Sequence, residues 1–119
     1  MEGYWLTHYV AGSTHGEGIA MLHSGELVGG DLEHLWNGSY EEEGPRVYAR
    51  IRIVPCVSRA EEESMAREKP LIVTLHGYCT EHFARLEGHA EGREDLPFEV
   101  KMRKCRAARQ TAPPAQSAA

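Results

Sequence analysis

The residue types in this chain that could do chemistry are histidines, cysteines and clustered glutamates. Seven histidines are scattered along the sequence, with no H-x-H and no H-E-x-x-H arrangement. His76 and His82 fall on neighbouring predicted strands and could meet. Two histidines without a suitably spaced carboxylate or thiolate make a poor cation site. We therefore predict no metal ion and no cofactor.

Nucleophilic catalysis has little support in the sequence. No G-x-S-x-G elbow occurs, and Ser24 stands in a predicted turn. Cys79 has the same two histidines nearby in the chain, but a cysteine in a strand is ordinarily a buried, inert thiol. The segment Gly16-Glu17-Gly18 lacks the third glycine of a dinucleotide-binding loop, and no helix is predicted after it. An enzyme is not expected.

The run Glu41, Glu42 and Glu43 is the predicted partner-binding segment. Three adjacent carboxylates create a negative field that speeds encounter with a cationic surface. The same charges could instead only solvate the end of a strand and discourage aggregation at a sheet edge. A second run, Glu61-Glu62-Glu63, fits the first turn of a helix, where the helix dipole favours acidic residues.

Length, charge and cysteine content restrict the class of protein. The 119 residues suffice for one domain, and 41% hydrophobic with 26% charged residues is typical of a globular chain. The formal net charge is -5, with a basic stretch at 101–119 after an acidic body, so direct nucleic-acid binding is not expected. Three cysteines without a C-x-x-C pair fit free thiols in a reducing compartment. No stretch has the pattern of a secretory signal or a membrane span, and we expect a cytoplasmic location with no membrane partner.

Alternating and β-branched segments predict an all-β fold. Strands are predicted at residues 4–10, 18–22, 26–30, 36–43, 46–54, 71–78, 83–90 and 98–104. One short surface helix is predicted over 58–69, opened by a Ser58–Glu61 capping box, and Asp31 could cap a helical turn. Short strands joined by short connections favour a small antiparallel eight-stranded β-barrel, filled by side chains or holding one small ligand. The barrel domain is expected over 1–106, with a disordered tail over 107–119.

The order of glycines along the first five predicted strands carries a family resemblance. These positions are Gly3-Tyr4, Gly16-Glu17-Gly18, Gly25, Gly29-Gly30-Asp31 and Trp36-Asn37-Gly38. Together they resemble the GrlR-type negative regulators of bacterial type III secretion. The similarity is clearest over residues 3–54, looser up to 105, and absent from the tail. After Glu43, Gly44 and Pro45 stand where those regulators continue with acidic residues.

The resemblance implies a calycin-like β-barrel that forms a homodimer and contains an apolar cavity. It also implies a non-enzymatic negative regulator that binds a transcriptional activator through an exposed acidic stretch and keeps that activator from DNA. The matching positions here are Glu41, Glu42 and Glu43, so a basic activator protein is the expected partner. The alternative is a protein that carries a small apolar, lipid-like ligand inside the barrel.

Overall fold

The computed structural model describes residues 1–56 and 70–106. Within these ranges the chain forms the strands β1 (Gly3–Ala11), β2 (Thr14–His23), β3 (Glu26–Gly30), β4 (His34–Glu43), β5 (Arg46–Pro55), β6 (Leu71–Cys79), β7 (Phe83–Ala90) and β8 (Arg93–Lys104). Each strand pairs antiparallel with the next, and β8 pairs with β1 to close the barrel. The predicted all-β, eight-stranded antiparallel barrel is thereby confirmed. The predicted helix over 58–69 and the predicted tail over 107–119 lie outside the described residues.

Strand alternation builds the core, and β5 illustrates it most clearly. Val47, Ala49 and Ile51 point inward and are buried, while Arg50 and Arg52 between and beyond them are exposed. Inward residues of the eight described strands meet across the closed sheet and fill one apolar core. Its buried members are Trp5, Ala20, Leu22, Leu27, Trp36, Tyr40, Val47, Ala49, Ile51, Val73, Leu75, Ala84, Leu86, Ala90, Phe98, Val100 and Met102.

Tight turns keep neighbouring strands in register. The β2–β3 turn places Ser24 at φ 49° and Gly25 at φ 83°. Two residues with positive φ give a turn whose twist matches that of the flanking strands, and glycine adopts this region without a steric penalty. The carbonyl of Gly25 then accepts a 2.9 Å hydrogen bond from the backbone N–H of Tyr40, which ties the turn to β4.

Two strands, β2 and β8, begin four or more residues earlier than the pattern predicts. β2 begins at Thr14 rather than residue 18, because its polar first half pairs with the end of β1. β8 begins at Arg93 rather than residue 98 and contains Pro97. Proline is tolerated in a strand near a bulge, and the β7–β8 register shifts between His89 and Ala90, next to Pro97.

The predicted helical turn after Asp31 is wrong. His34 already begins β4, and Asp31 closes a tight strand-to-strand turn instead. Its carboxylate oxygen Oδ1 accepts hydrogen bonds from the backbone N–H groups of Glu33 at 2.8 Å and His34 at 2.6 Å. This is the capping chemistry that the residue type predicts, used in a turn rather than at the start of a helix. None of the described residues forms a helix long and apolar enough to cross a bilayer.

Candidate functional site

The hairpin turns gather at two opposite ends of the barrel. One end, called here the acidic end, carries the β2–β3, β4–β5 and β6–β7 turns. The other, called here the Asp31 end, carries the β1–β2, β3–β4 and β7–β8 turns. The acidic end takes its name from Glu41, Glu42 and Glu43, the last three residues of β4, all of which are exposed.

Strand alternation divides the three glutamates between two surfaces. Glu42 pairs with buried Val47 and therefore points over the barrel end, where its Oε2 forms an ion pair with the amino group of Met1. Glu41 and Glu43 point to the outside of the sheet instead. They are not paired with any cation among the described residues. The acidic surface on the outside of the sheet is therefore formed by the carboxylates of Glu41 and Glu43.

The cation in register with this surface is Arg46, whose pKa is raised first by its hydrogen bond to Tyr48 and, among smaller causes, by the charge of Glu43. Arg46 stands opposite Glu43, but its guanidinium donates a 3.4 Å hydrogen bond to the hydroxyl of Tyr48. The same guanidinium lies 5.6 Å from the ring centroid of Tyr78, within range of a cation–π interaction. The two outward carboxylates consequently remain available to a basic group from outside.

A second surface lies on the outside of β1 to β4 and is called here the outer apolar face. The register sets Tyr4, Met21 and Val28 side by side in one row across three strands. The next row contains Leu6 and Ile19, then Gly30 and Leu35. Tyr4, Ile19, Met21, Val28 and Leu35 are each between 37% and 55% exposed. Contiguous exposed apolar side chains are typical of surfaces that bind another molecule.

The interior contains one small cavity of about 60 Å³. Its lining is apolar, with Trp36, Phe98 and Met102 among its larger members. The buried hydroxyl of Thr7 is the polar exception, and it donates a 3.2 Å hydrogen bond to the carbonyl of Trp5. Pockets that bind small organic ligands usually measure about 300 to 1,000 Å³, so this cavity is too small for a lipid-like molecule.

Tyr9 closes the cavity towards the Asp31 end. Its ring lies beside Trp36 in an edge-to-face contact at 5.9 Å and beside Phe98 at 6.4 Å. The ring also occupies the space above Gly16, where any Cβ would overlap its atoms. Its hydroxyl donates a 2.7 Å hydrogen bond to Oδ2 of Asp31.

Asp31 is a nearly buried carboxylate whose charge is fully accommodated. Its side chain is 7% exposed, and Nδ1 of His34 lies 3.3 Å from Oδ1. Burial would raise the pKa of Asp31, but the hydrogen bonds from Tyr9 and from two backbone N–H groups outweigh it, and the pKa lies below its ordinary value of 3.8. Burial and the bond to Asp31 raise the pKa of the Tyr9 hydroxyl. Both groups therefore stay in their ordinary charge states, as expected of a structural contact.

The remaining candidate residues form no reactive centre among the described positions. No group of three or more histidine, cysteine or acidic side chains is placed to hold a metal ion in residues 1–56 and 70–106. His82 lies 3.8 Å from its neighbour Glu81, and no contact joins it to His76. Burial first, and then the charge of Glu42, raise the pKa of the Cys79 thiol, which keeps it protonated and unreactive.

Comparison with models of known protein families finds no match, and comparison with curated proteins finds none either. The resemblance to GrlR-type regulators therefore stays a prediction from the glycine order.

Sequence reasoning missed the outer apolar face. The available signal is the run Ile19-Ala20-Met21-Leu22, which is apolar on both sides of a strand, whereas the other half-wet strands alternate. Ala20 and Leu22 fill the core, so Ile19 and Met21 necessarily face outward. The Tyr9–Asp31 contact has no comparable signal, because it depends on how the strands pair.

Proposed function

We propose that this protein is a non-enzymatic negative regulator that acts by binding another protein on its outer surface. The observation that carries the proposal is the pair of outward carboxylates of Glu41 and Glu43, which form no ion pair with a cation of residues 1–56 or 70–106 and stand on a strand beside a tight turn. A barrel whose interior is nearly filled has little room to carry a ligand, while exposed acids and exposed apolar side chains suit a binding surface.

The partner of this proposal is a basic transcriptional activator. The lysines and arginines of a DNA-binding surface are arranged to meet phosphate groups, and carboxylates at strand spacing offer the same kind of negative partner. Binding at Glu41 and Glu43 would occlude those basic side chains and keep the activator from DNA. This is the mechanism that the GrlR-type resemblance implies, and a cytoplasmic homodimer is part of the same proposal.

Carriage of a small apolar ligand is the weaker alternative. It would require the barrel to open well beyond the cavity of about 60 Å³. Native mass spectrometry of the purified protein separates the two functions, because a retained lipid-sized mass supports a carrier and is not expected of a regulator.

The regulator proposal is tested by charge reversal on an identified partner. The tagged protein first captures interacting proteins from its host, and each captured protein is then purified and titrated by isothermal calorimetry. We expect Glu41→Lys with Glu43→Lys to weaken binding at least tenfold and to flatten its salt dependence, because both attractive charges become repulsive.

The matched control reverses two exposed acids at the Asp31 end, Glu33→Lys with Glu94→Lys, and makes the same change in net charge. Its affinity should stay within about twofold of the natural protein, since long-range charge alone contributes modestly at physiological salt. Equal weakening by both pairs would mean that net charge, and not the acidic end, governs the association.

A further inference from the structure

We infer that the outside of β6, β7 and β8 near the acidic end binds single-stranded nucleic acid. This surface, called here the aromatic–basic face, consists of Tyr78, Phe83, Arg85, Lys101 and Arg103. The inference goes beyond the proposed function, since it assigns a second surface and a different class of partner. It rests on the strand register, which interleaves exposed aromatic rings with cations.

Two cross-strand rows form the aromatic–basic face. In one row Tyr78 of β6 pairs with Arg85 of β7, and Arg85 pairs with Lys101 of β8. In the other row Phe83 of β7 pairs with Arg103 of β8. All five side chains are exposed on the outer side of their strands. Each ring therefore stands beside a guanidinium group of the next strand.

The two rings are placed to receive neighbouring bases. Tyr78 and Phe83 are both 59% exposed. Phe83 lies two residues before Arg85 on β7, so the two rings are diagonal neighbours, for which a separation of about 7 to 8 Å is ordinary. Successive unpaired bases stack on rings of a sheet surface whatever their sequence, whereas a double helix keeps its bases stacked inside.

Lys101 and Arg103 supply cations for the phosphate groups. Neither forms an ion pair with an acidic side chain of residues 1–56 or 70–106. Arg85 differs, because its Nη2 donates a 2.7 Å hydrogen bond to Oε2 of Glu99. Lysine and arginine side chains both bind phosphate oxygens. The two cations beside the rings are therefore available to a nucleic-acid backbone.

Acidic side chains border the aromatic–basic face, at Glu43, Glu81, Glu87 and Glu99. Glu99 is paired with Arg85. Arg46 stands between Glu43 and Tyr78 in register, with its guanidinium 5.6 Å from the Tyr78 ring centroid. The acid–cation pairs at these borders reduce the repulsion that a phosphate group would meet.

The formal net charge of -5, from which no nucleic-acid binding is expected, belongs to the whole chain. It opposes attraction at long range. At about 0.1 M salt, charges more than about 10 Å apart are largely screened, so the cations within the face dominate once contact is made. Binding in the micromolar range with a clear salt dependence follows.

The rings also favour nucleic acid over an acidic peptide as the occupant. The carboxylates of an acidic peptide would pair with Lys101 and Arg103 and would leave Tyr78 and Phe83 uncovered. Nucleotides supply a negative group and a flat group in every repeat, which matches the alternation of cations and rings.

Fluorescence anisotropy of a labelled oligothymidylate of about 12 nucleotides, at about 50 mM salt, tests the inference. We expect Tyr78→Leu with Phe83→Leu to weaken binding at least about tenfold, because two bases lose their stacking partners. The matched control is Tyr4→Leu with Tyr48→Leu, which removes two exposed rings outside the aromatic–basic face. Its affinity should stay within about twofold of the natural protein, and circular dichroism should report intact barrels in every variant.

Lys101→Gln with Arg103→Gln tests the phosphate contacts separately. The slope of the logarithm of the association constant against the logarithm of salt concentration should become shallower by about 1.4, since each phosphate contact on a single strand contributes about 0.7. Arg52→Gln with Arg93→Gln makes the same change in net charge at two exposed positions away from the face and should leave the slope unchanged. Equal flattening by both pairs would overturn the inference, because net charge alone would then govern binding.

Three further results would also overturn it. One is the absence of binding at about 200 micromolar protein. Another is equally tight binding of a duplex of the same length, because stacking on Tyr78 and Phe83 would then contribute nothing. The third is displacement of the oligonucleotide by an equal concentration of polyglutamate, which would assign the face to an acidic protein segment.

Discussion

The Tyr9 hydroxyl and the Asp31 carboxylate, 22 residues apart in the chain, are joined by a 2.7 Å hydrogen bond between their side chains. The bond ties β1 to the β3–β4 turn and lies at the end of the apolar cavity. A nearly buried carboxylate is stable only when its oxygens are satisfied, and here Tyr9 and two backbone N–H groups supply the donors. The contact therefore stabilises the Asp31 end.

Tyr9→Phe should destabilise the protein by about 1 to 3 kcal/mol, because it removes one donor and leaves a buried carboxylate oxygen unsatisfied. Urea unfolding followed by circular dichroism measures the free energy of unfolding. Tyr4→Phe is the matched control, since Tyr4 is about half exposed, and it should change the free energy by less than about 0.5 kcal/mol. Equal effects of the two variants would show that the Tyr9–Asp31 hydrogen bond contributes nothing to the free energy of unfolding.

The stabilisation by Asp31 should depend on pH in a definite direction. Its pKa in the folded protein lies below the ordinary value of 3.8, so the carboxylate stabilises the fold at higher pH. That contribution should be complete well above pH 3.8 and should be lost as the pH falls through the folded pKa. The difference in free energy of unfolding between the natural protein and Asp31→Asn should therefore shrink from about pH 6 to about pH 3. A difference that is constant over this range would contradict the assigned pKa direction.

Gly16→Ala should be unusually costly for a partly exposed strand position. Any Cβ at Gly16 would overlap the ring of Tyr9, so the ring must leave its place between Trp36 and Phe98 or strain the strand. We expect a loss of about 2 kcal/mol or more in the free energy of unfolding. The same substitution in a Tyr9→Leu background should cost clearly less, and equal costs in both backgrounds would place the clash elsewhere.

Thr7→Val should be nearly neutral, within about 1 kcal/mol in the free energy of unfolding. The Thr7 hydroxyl is bonded only to the carbonyl of Trp5, and valine has almost the same shape. A loss well above that value would show that the hydroxyl has a further buried partner in the cavity. Chemical denaturation of the two proteins side by side measures the difference.

Much of the barrel could be predicted because apolar and polar residues alternate along its strands. In β5, Val47 and Ile51 face inward, and Arg50 and Arg52 face outward. This alternation is consistent only with a strand that has one buried face. The start of β8 could not be predicted, because Pro97 usually ends a strand and its tolerance here depends on the shifted register beside it. The sequence does not distinguish a helical turn from a tight turn at Asp31, because the capping chemistry of an aspartate is the same in both.

The candidate site was located only in part. The exposure of Glu41, Glu42 and Glu43 follows from their charge. Their adjacency in the sequence, however, suggests that all three belong to a single surface patch. Tyr40 is buried, so Glu42 lies on the same side of the strand and is directed to the barrel end. The outer apolar face required the cross-strand register, because Tyr4, Met21 and Val28 come from three separate strands.

In the proposed function, Glu41 and Glu43 bind a basic activator and prevent it from binding DNA. Fluorescence anisotropy of a labelled operator, titrated with the captured activator in the presence and absence of this protein, tests it most directly. The natural protein should raise the apparent dissociation constant of the activator for DNA, and the variant carrying Glu41→Lys with Glu43→Lys should leave it unchanged. A ternary complex in which the activator, the DNA and this protein are bound together with undiminished DNA affinity would contradict the account.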